Sequence, residues 1–131
     1  FMRLFFVAVF LFCFAMVSGA ATLVIPPCPS QPDLTIASLE FSPVAPNCSD
    51  VMTVRAVVRN VGTAAVSGAV VAMKLDGVER VRVIGPNISV NATWATPWFV
   101  LGVLGPGSFD VTYCADPDGV IVEVNDGNNC R

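Results

Sequence analysis

Beyond residue 32, apolar and polar positions alternate in short runs with a period near two. The runs are DLTIASLEF (33–41), VMTVRAVVRN (51–60), AVVAMKL (69–75), VERVRVI (78–84) and FDVTYCA (109–115). They are rich in Val, Thr and Ile, residues that suit a pleated, half-buried strand. Turn formers separate them: SPVAPN, NVGT, LDG, GPN, LGPGS and DPDG. Asp76-Gly77 between two such runs predicts a two-residue hairpin, because a type I′ turn needs positive φ at both central positions. Several short strands punctuated by Gly and Pro predict an all-β chain folded as an antiparallel β-sandwich. No helical period follows residue 25, and no repeat or low-complexity tract interrupts the domain.

The first 27 residues, FMRLFFVAVFLFCFAMVSGAATLVIPP, have a different pattern. Arg3 precedes an apolar run from Leu4 to Val17, and Ser18, Gly19 and Ala20 come next. A basic start, a short apolar centre and small residues at a cleavage position form a secretory signal peptide, cut after Ala20. The competing reading is an uncleaved anchor, since no charge lies between Arg3 and Asp33 and Leu4 to Ile25 approaches the ~20 residues of a membrane span. Ser, Gly, Ala and Thr in the second half of the stretch favour the leader. Either way, the rest of the chain is expected outside the cytoplasm, as extracellular or cell-surface material. The organisation is then a signal peptide at 1–20, a linker at 21–32 and one domain at 33–131.

Cysteine usage agrees with export. Of five cysteines, Cys13 would leave with the leader, and Cys28, Cys48, Cys114 and Cys130 remain. An even number in an exported domain reads as two disulfides, for which three connectivities exist. Zinc is disfavoured, because no pair has CxxC spacing and the chain has no histidine. The missing histidine also excludes Ser-His-Asp and Cys-His catalysis, so no enzyme is expected. Net charge is -3, and loss of Arg3 would make it -4, which argues against nucleic acid as a partner.

The stretch CADPDGVIVEVNDGNNCR concentrates Asp116, Asp118 and Glu123. Their intervals do not fit a calcium loop, and DPDG and NDG read as turns instead, so no metal ligand and no cofactor is expected. Trp94, Trp98 and Phe99 can stack on sugars, but aromatics in a small sandwich more often fill its core. Asn47-Cys48-Ser49, Asn87-Ile88-Ser89 and Asn91-Ala92-Thr93 satisfy the N-glycan acceptor pattern and fall in expected loops or at strand ends.

Pro32-Asp33-Leu34, Val58-Arg59-Asn60-Val61-Gly62-Thr63-Ala64, Leu104-Gly105-Pro106-Gly107-Ser108 and DPDGVIVEVNDGNN, in that order, resemble a CARDB domain (cell adhesion related domain found in bacteria) from about Pro32 to Cys130. The resemblance implies an immunoglobulin-like or fibronectin type III-like sandwich in a secreted or surface protein. It implies a non-catalytic structural or adhesion module, whose partners are other surface proteins or neighbouring domains of a longer chain. An accessory module of a larger secreted hydrolase is the second function it allows. In such domains the double asparagine introduces a last strand, so a chain ending at Arg131 is expected to be cut short before it. Within this topology Asn60 is expected to turn onto nearby backbone and Gly62 to supply a left-handed residue. Cys114 and Cys130 would face each other across a late hairpin, as paired cysteines do in similar secreted domains, and Cys28–Cys48 follows by elimination.

Overall fold

The computed structural model describes residues 16–17, 21–27 and 29–131. The chain divides into two compact units, Phe1–Ser30 and Gln31–Arg131. In the first, β1 (Met16–Val17) pairs antiparallel with β2 (Leu23–Val24). The rest of the expected signal peptide lies outside the described residues. Among those described, no helix is long and apolar enough to cross a membrane.

The second unit is an antiparallel β-sandwich. One sheet is built on β4 (Val51–Asn60), with β3 (Leu34–Ser42) along one edge and β7 (Thr93–Ala95) and β8 (Phe99–Val103) sharing the other. The second sheet has β5 (Val70–Leu75) between β6 (Val78–Ile84) and β9 (Val111–Ala115). Alternation decides which residues meet between the sheets. Val54, Ala56 and Val58 of β4 and Leu34 and Ile36 of β3 face Val71 and Met73 of β5 and Tyr113 and Ala115 of β9. Each large apolar side chain buried this way contributes about 1.5–3 kcal/mol, which makes this face the main source of stability.

Asp76 and Gly77 both take positive φ, 50° and 81°, and join β5 to β6 as the hairpin motif requires. The two strands absent from the sequence reading, β7 and β8, are short; Trp94, Phe99 and Leu101 face the core, but the outward Val100 and Val103 are apolar too, so FVLGV shows no apolar–polar alternation. Residues 129–131 pair with the outer edge of β9, where Tyr113 and Arg131 exchange both backbone hydrogen bonds (2.8 and 2.9 Å) and Ala115 N–H donates to Asn129 C=O. This is where the resemblance places the start of a last strand.

Asn60, with no exposed surface, ends β4 and ties four segments together. Its Oδ1 accepts from Asp33 N–H (3.2 Å) and Gly62 N–H (3.0 Å), and its Nδ2 donates to Ala64 C=O (2.7 Å) and Ile88 C=O (3.1 Å). Gly62 serves differently from expectation. Its φ is not positive; instead a Cβ there would sit 2.4 Å from Gln31 O and 2.5 Å from Asp33 N, so the residue is glycine because the 31–33 backbone passes against it. Asn60→Ala leaves two backbone N–H groups and two carbonyls without this partner. It should lower unfolding free energy by about 3 kcal/mol or more, measured by urea denaturation.

Candidate interaction surface

The two ends of the sandwich differ in chemistry. At the Asn60 end, the loop from Asp116 to Asn129 closes over the start of β3. Asp116 takes φ 46° and opens a turn in which Gly119 N–H donates back to Asp116 C=O (3.1 Å), with Pro117 and Asp118 as its central residues. The Asp116 carboxylate then accepts from Val120 N–H (3.0 Å) and Ile121 N–H (2.9 Å). Asp118 pairs with Arg82, which also binds Glu79; these contacts lower the Asp118 pKa and raise that of Arg82. Asn125 caps a single 3₁₀ turn, Asp126–Asn128, by accepting from Gly127 N–H.

Glu123 is buried and joins this loop to β3. One carboxylate oxygen accepts from Leu34 N–H (2.6 Å), and the other accepts from Asn129 Nδ2 (3.0 Å). Asn128 Nδ2 donates to Asp33 Oδ1 (3.0 Å), and Val124 N–H to Pro32 C=O (3.1 Å). Burial pushes the Glu123 carboxyl above its ordinary pKa, with smaller contributions from Asp116 and Asp126, against the opposing pull of its two donors. Asp116, Asp118 and Glu123 are therefore engaged in separate structural bonds. Among the described residues, no three His, Cys, Asp or Glu side chains converge as a metal site would require.

Cys114 and Cys130 form a disulfide, with 16 residues of separation. They occupy a non-hydrogen-bonded position between the bonded pairs at 113/131 and 115/129, where antiparallel strands approach most closely. Cys48 is exposed and unbridged. Its expected partner, Cys28, lies outside the described residues, so the second bridge stays an expectation of the sequence.

At the opposite end, Cys48 lines a cleft of about 420 Å³. Phe41 of β3, Met52 of β4 and Leu101 of β8 line it together with Phe109 and with Val111 of β9. Both sheets contribute, so the cleft is an opening into the space between them. Among the described residues β3 pairs only with β4, so its outer edge runs free beside this region. Arg131 Nη1 reaches across to Ala37 C=O of β3 (2.5 Å). No signal in the sequence marked this cleft, because its lining comes from four strands distant along the chain.

Trp94 and Phe99 pack against the core as expected. Trp98 does not: it is 44% exposed and lies 4.6 Å beneath the Arg55 guanidinium, which also pairs with Glu40. Asn47, Asn87 and Asn91 are all exposed and lie between strands, Asn91 with a φ of 62°.

The CARDB family model matches residues 31–131, and the chain belongs to this family, one associated with cell surfaces. Its fold is shared with solved CARDB structures. A CARDB domain from Pyrococcus furiosus, crystallised in complex with di-metal ions, is 20% identical with a TM-score of 0.64, over 76% of this chain and 83% of that one. The 272–376 domain of a "putative cell surface protein" from Methanosarcina acetivorans is 24% identical with a TM-score of 0.65, over 77% and 87%. No curated protein matches the chain significantly.

This chemistry has two measurable outcomes. Cys114→Ser should cost about 2–4 kcal/mol, and dithiothreitol rather than EDTA should speed proteolysis between Asp116 and Asn129 of the wild type. A raised folded pKa means that Glu123 favours folding most below its ordinary value of 4.5 and loses that contribution as pH rises through the folded pKa. Glu123→Gln removes this titration, and its amide can give the donorless Asn129 Oδ1 a partner. The variant should be at least as stable as wild type at pH 7, with wild type gaining on it as pH falls to 4.5, measured by denaturation across that range.

Proposed function

We propose that the chain is an exported, non-catalytic module that contributes to adhesion or assembly at the cell surface. Its partners are other surface proteins or neighbouring domains of a longer chain. The observation that carries this reading is membership of the CARDB family across the whole sandwich. The chemistry of the domain is in keeping with it: the buried carboxylates hold backbone, and the chain has no histidine to activate a nucleophile. Asp116, Asp118 and Glu123 are committed to different structural bonds and share no common site.

Export begins with removal of residues 1–20, and the exported chain starts at Ala21. Asn47, Asn87 and Asn91 stand exposed to any glycan-transferring enzyme the chain meets outside the cytoplasm. Fractionation of the producing cell should recover the chain outside the cytoplasm, with Ala21 as the first residue on N-terminal sequencing. The purified chain should bind envelope fractions of that cell saturably. Recovery in the cytoplasm with residues 1–20 intact would overturn export; failure to bind envelopes would overturn adhesion. Intact mass should show hexose-containing additions that disappear on Asn→Gln substitution at the three acceptors.

A further inference from the structure

Trp94 packs against the core, whereas Trp98 is 44% exposed. Register explains where it stands. Val54 pairs with Phe99 and Thr53 with Val100, so the same antiparallel register sets Trp98 beside Arg55. From the other side Glu40 of β3 pairs with Arg55. Val54 and Phe99 point into the core, so their neighbours Arg55 and Trp98 point outward. Glu40, Arg55 and Trp98 thus form a row across the outer face of the first sheet, about 10 Å from first to last.

The row leaves three groups free. The Arg55 guanidinium lies over one face of the Trp98 ring at 4.6 Å, a cation–π contact that fixes the ring's orientation. Among the described residues β8 pairs only with β4, so no strand covers the far side of Trp98. Trp98 there lines a slot of about 60 Å³ together with Pro97 and with Val81 and Val83 of β6. The exposed part of the ring is therefore its second face and rim. Arg55 gives Nε–H to Glu40 Oε2, and among the described residues its Nη groups and Glu40 Oε1 make no other hydrogen bond. Both side chains are partly open to solvent, 33% and 41%.

An aromatic face beside an unused donor and an unused acceptor defines a ligand chemistry. The face of an indole is electrically negative and attracts polarised C–H groups. The Nη groups can donate to a hydroxyl oxygen, and Oε1 can accept from a hydroxyl hydrogen. A pyranose whose hydroxyls are equatorial presents both at once, C–H groups on its flat face and hydroxyls around its rim. Arg55 and Glu40 cancel in charge, which favours an uncharged sugar over an anionic one. A protein partner covering the row would have to take the Arg55–Glu40 pair out of water, whereas hydroxyls replace the water that solvates it.

We propose that the Glu40–Arg55–Trp98 row binds an uncharged pyranose unit of a surface glycan, stacked on the free face of Trp98 and hydrogen-bonded by Arg55 and Glu40. The proposal rests on the adhesion reading for its setting, and purified sugars test the site apart from it.

Cellohexaose and chitohexaose, uncharged oligosaccharides with equatorial substituents, serve as probes of the purified chain, with the indole N–H signals of both tryptophans followed by NMR. At least one of them should shift the Trp98 signal saturably and leave that of Trp94 in place. Trp98→Ala should weaken binding about tenfold, the loss of one stacking contact, while Trp98→Tyr retains part of it. Arg55→Ala and Glu40→Ala should also weaken binding and leave the urea midpoint close to that of wild type, because exposed pairs hold little stability. Binding to cell envelopes should survive protease treatment of the envelopes and be lost on periodate oxidation of their sugars. A Trp98 signal unmoved by both oligosaccharides, or undiminished binding by Trp98→Ala, would overturn the proposal. Tighter binding of the anionic polygalacturonate would overturn the preference for an uncharged sugar. Envelope binding destroyed by protease and spared by periodate would identify a protein partner and overturn the glycan. Envelopes that fail to bind, with an oligosaccharide still shifting Trp98, would overturn adhesion and uphold the sugar site.

Discussion

Asn60 is the constraint on which the sandwich turns. It carries two donors and two acceptor sites on one short amide, and all are matched by backbone from Asp33, Gly62, Ala64 and Ile88. A hydroxyl has only one hydrogen to donate and an apolar residue none, so neither could satisfy all four partners. The amide therefore fixes the entry to β3, the exit from β4 and the chain segment that precedes β7. Gly62 makes the arrangement possible by letting the 31–33 backbone pass where any Cβ would collide. Glu123 adds the second tie at the same place, reaching Leu34 from a loop 89 residues further along.

The strands that form the core were legible because burial imposes the period of two directly on the sequence. VMTVRAVVRN coincides with β4 and VERVRVI with β6. Thr93–Ala95 escaped because it is only three residues long, and Phe99–Val103 because its outward-facing Val100 and Val103 are apolar, so its alternation in burial leaves no apolar–polar pattern in the sequence. The Asp76-Gly77 turn and the roles of Pro117 and Gly119 were readable from local backbone preference alone. Gly62 was not: its requirement is a collision with residues about 30 positions earlier, and only the folded chain contains that contact. The Cys114–Cys130 bridge could be expected once the late hairpin was drawn, while the cleft at Cys48 depends on four strands meeting and has no local signature.

The two ends of the domain divide stability from accessibility. At the Asn60 end, polar groups are spent on holding loops to strands, so the carboxylates that stand out in the sequence have little left to offer a ligand. At the Cys48 end, apolar side chains of both sheets remain only partly covered beside the outer edge of β3. Uncovered apolar surface is a feature that folded domains usually conceal.

The position of the Cys114–Cys130 bridge has a mechanical consequence. A pull on the chain at Arg131 enters the disulfide before it reaches the loop from Asp116 to Asn129, and passes straight into β9 and its neighbour β5. The 16 residue steps between the two cysteines, about 55 Å of contour, stay out of the load path while the bond is intact. Reduction would return that length to the chain and route tension through the Glu123 and Asn129 contacts instead. For a tether at a surface, the bridge sets how far the domain can be stretched before its sheets bear the load.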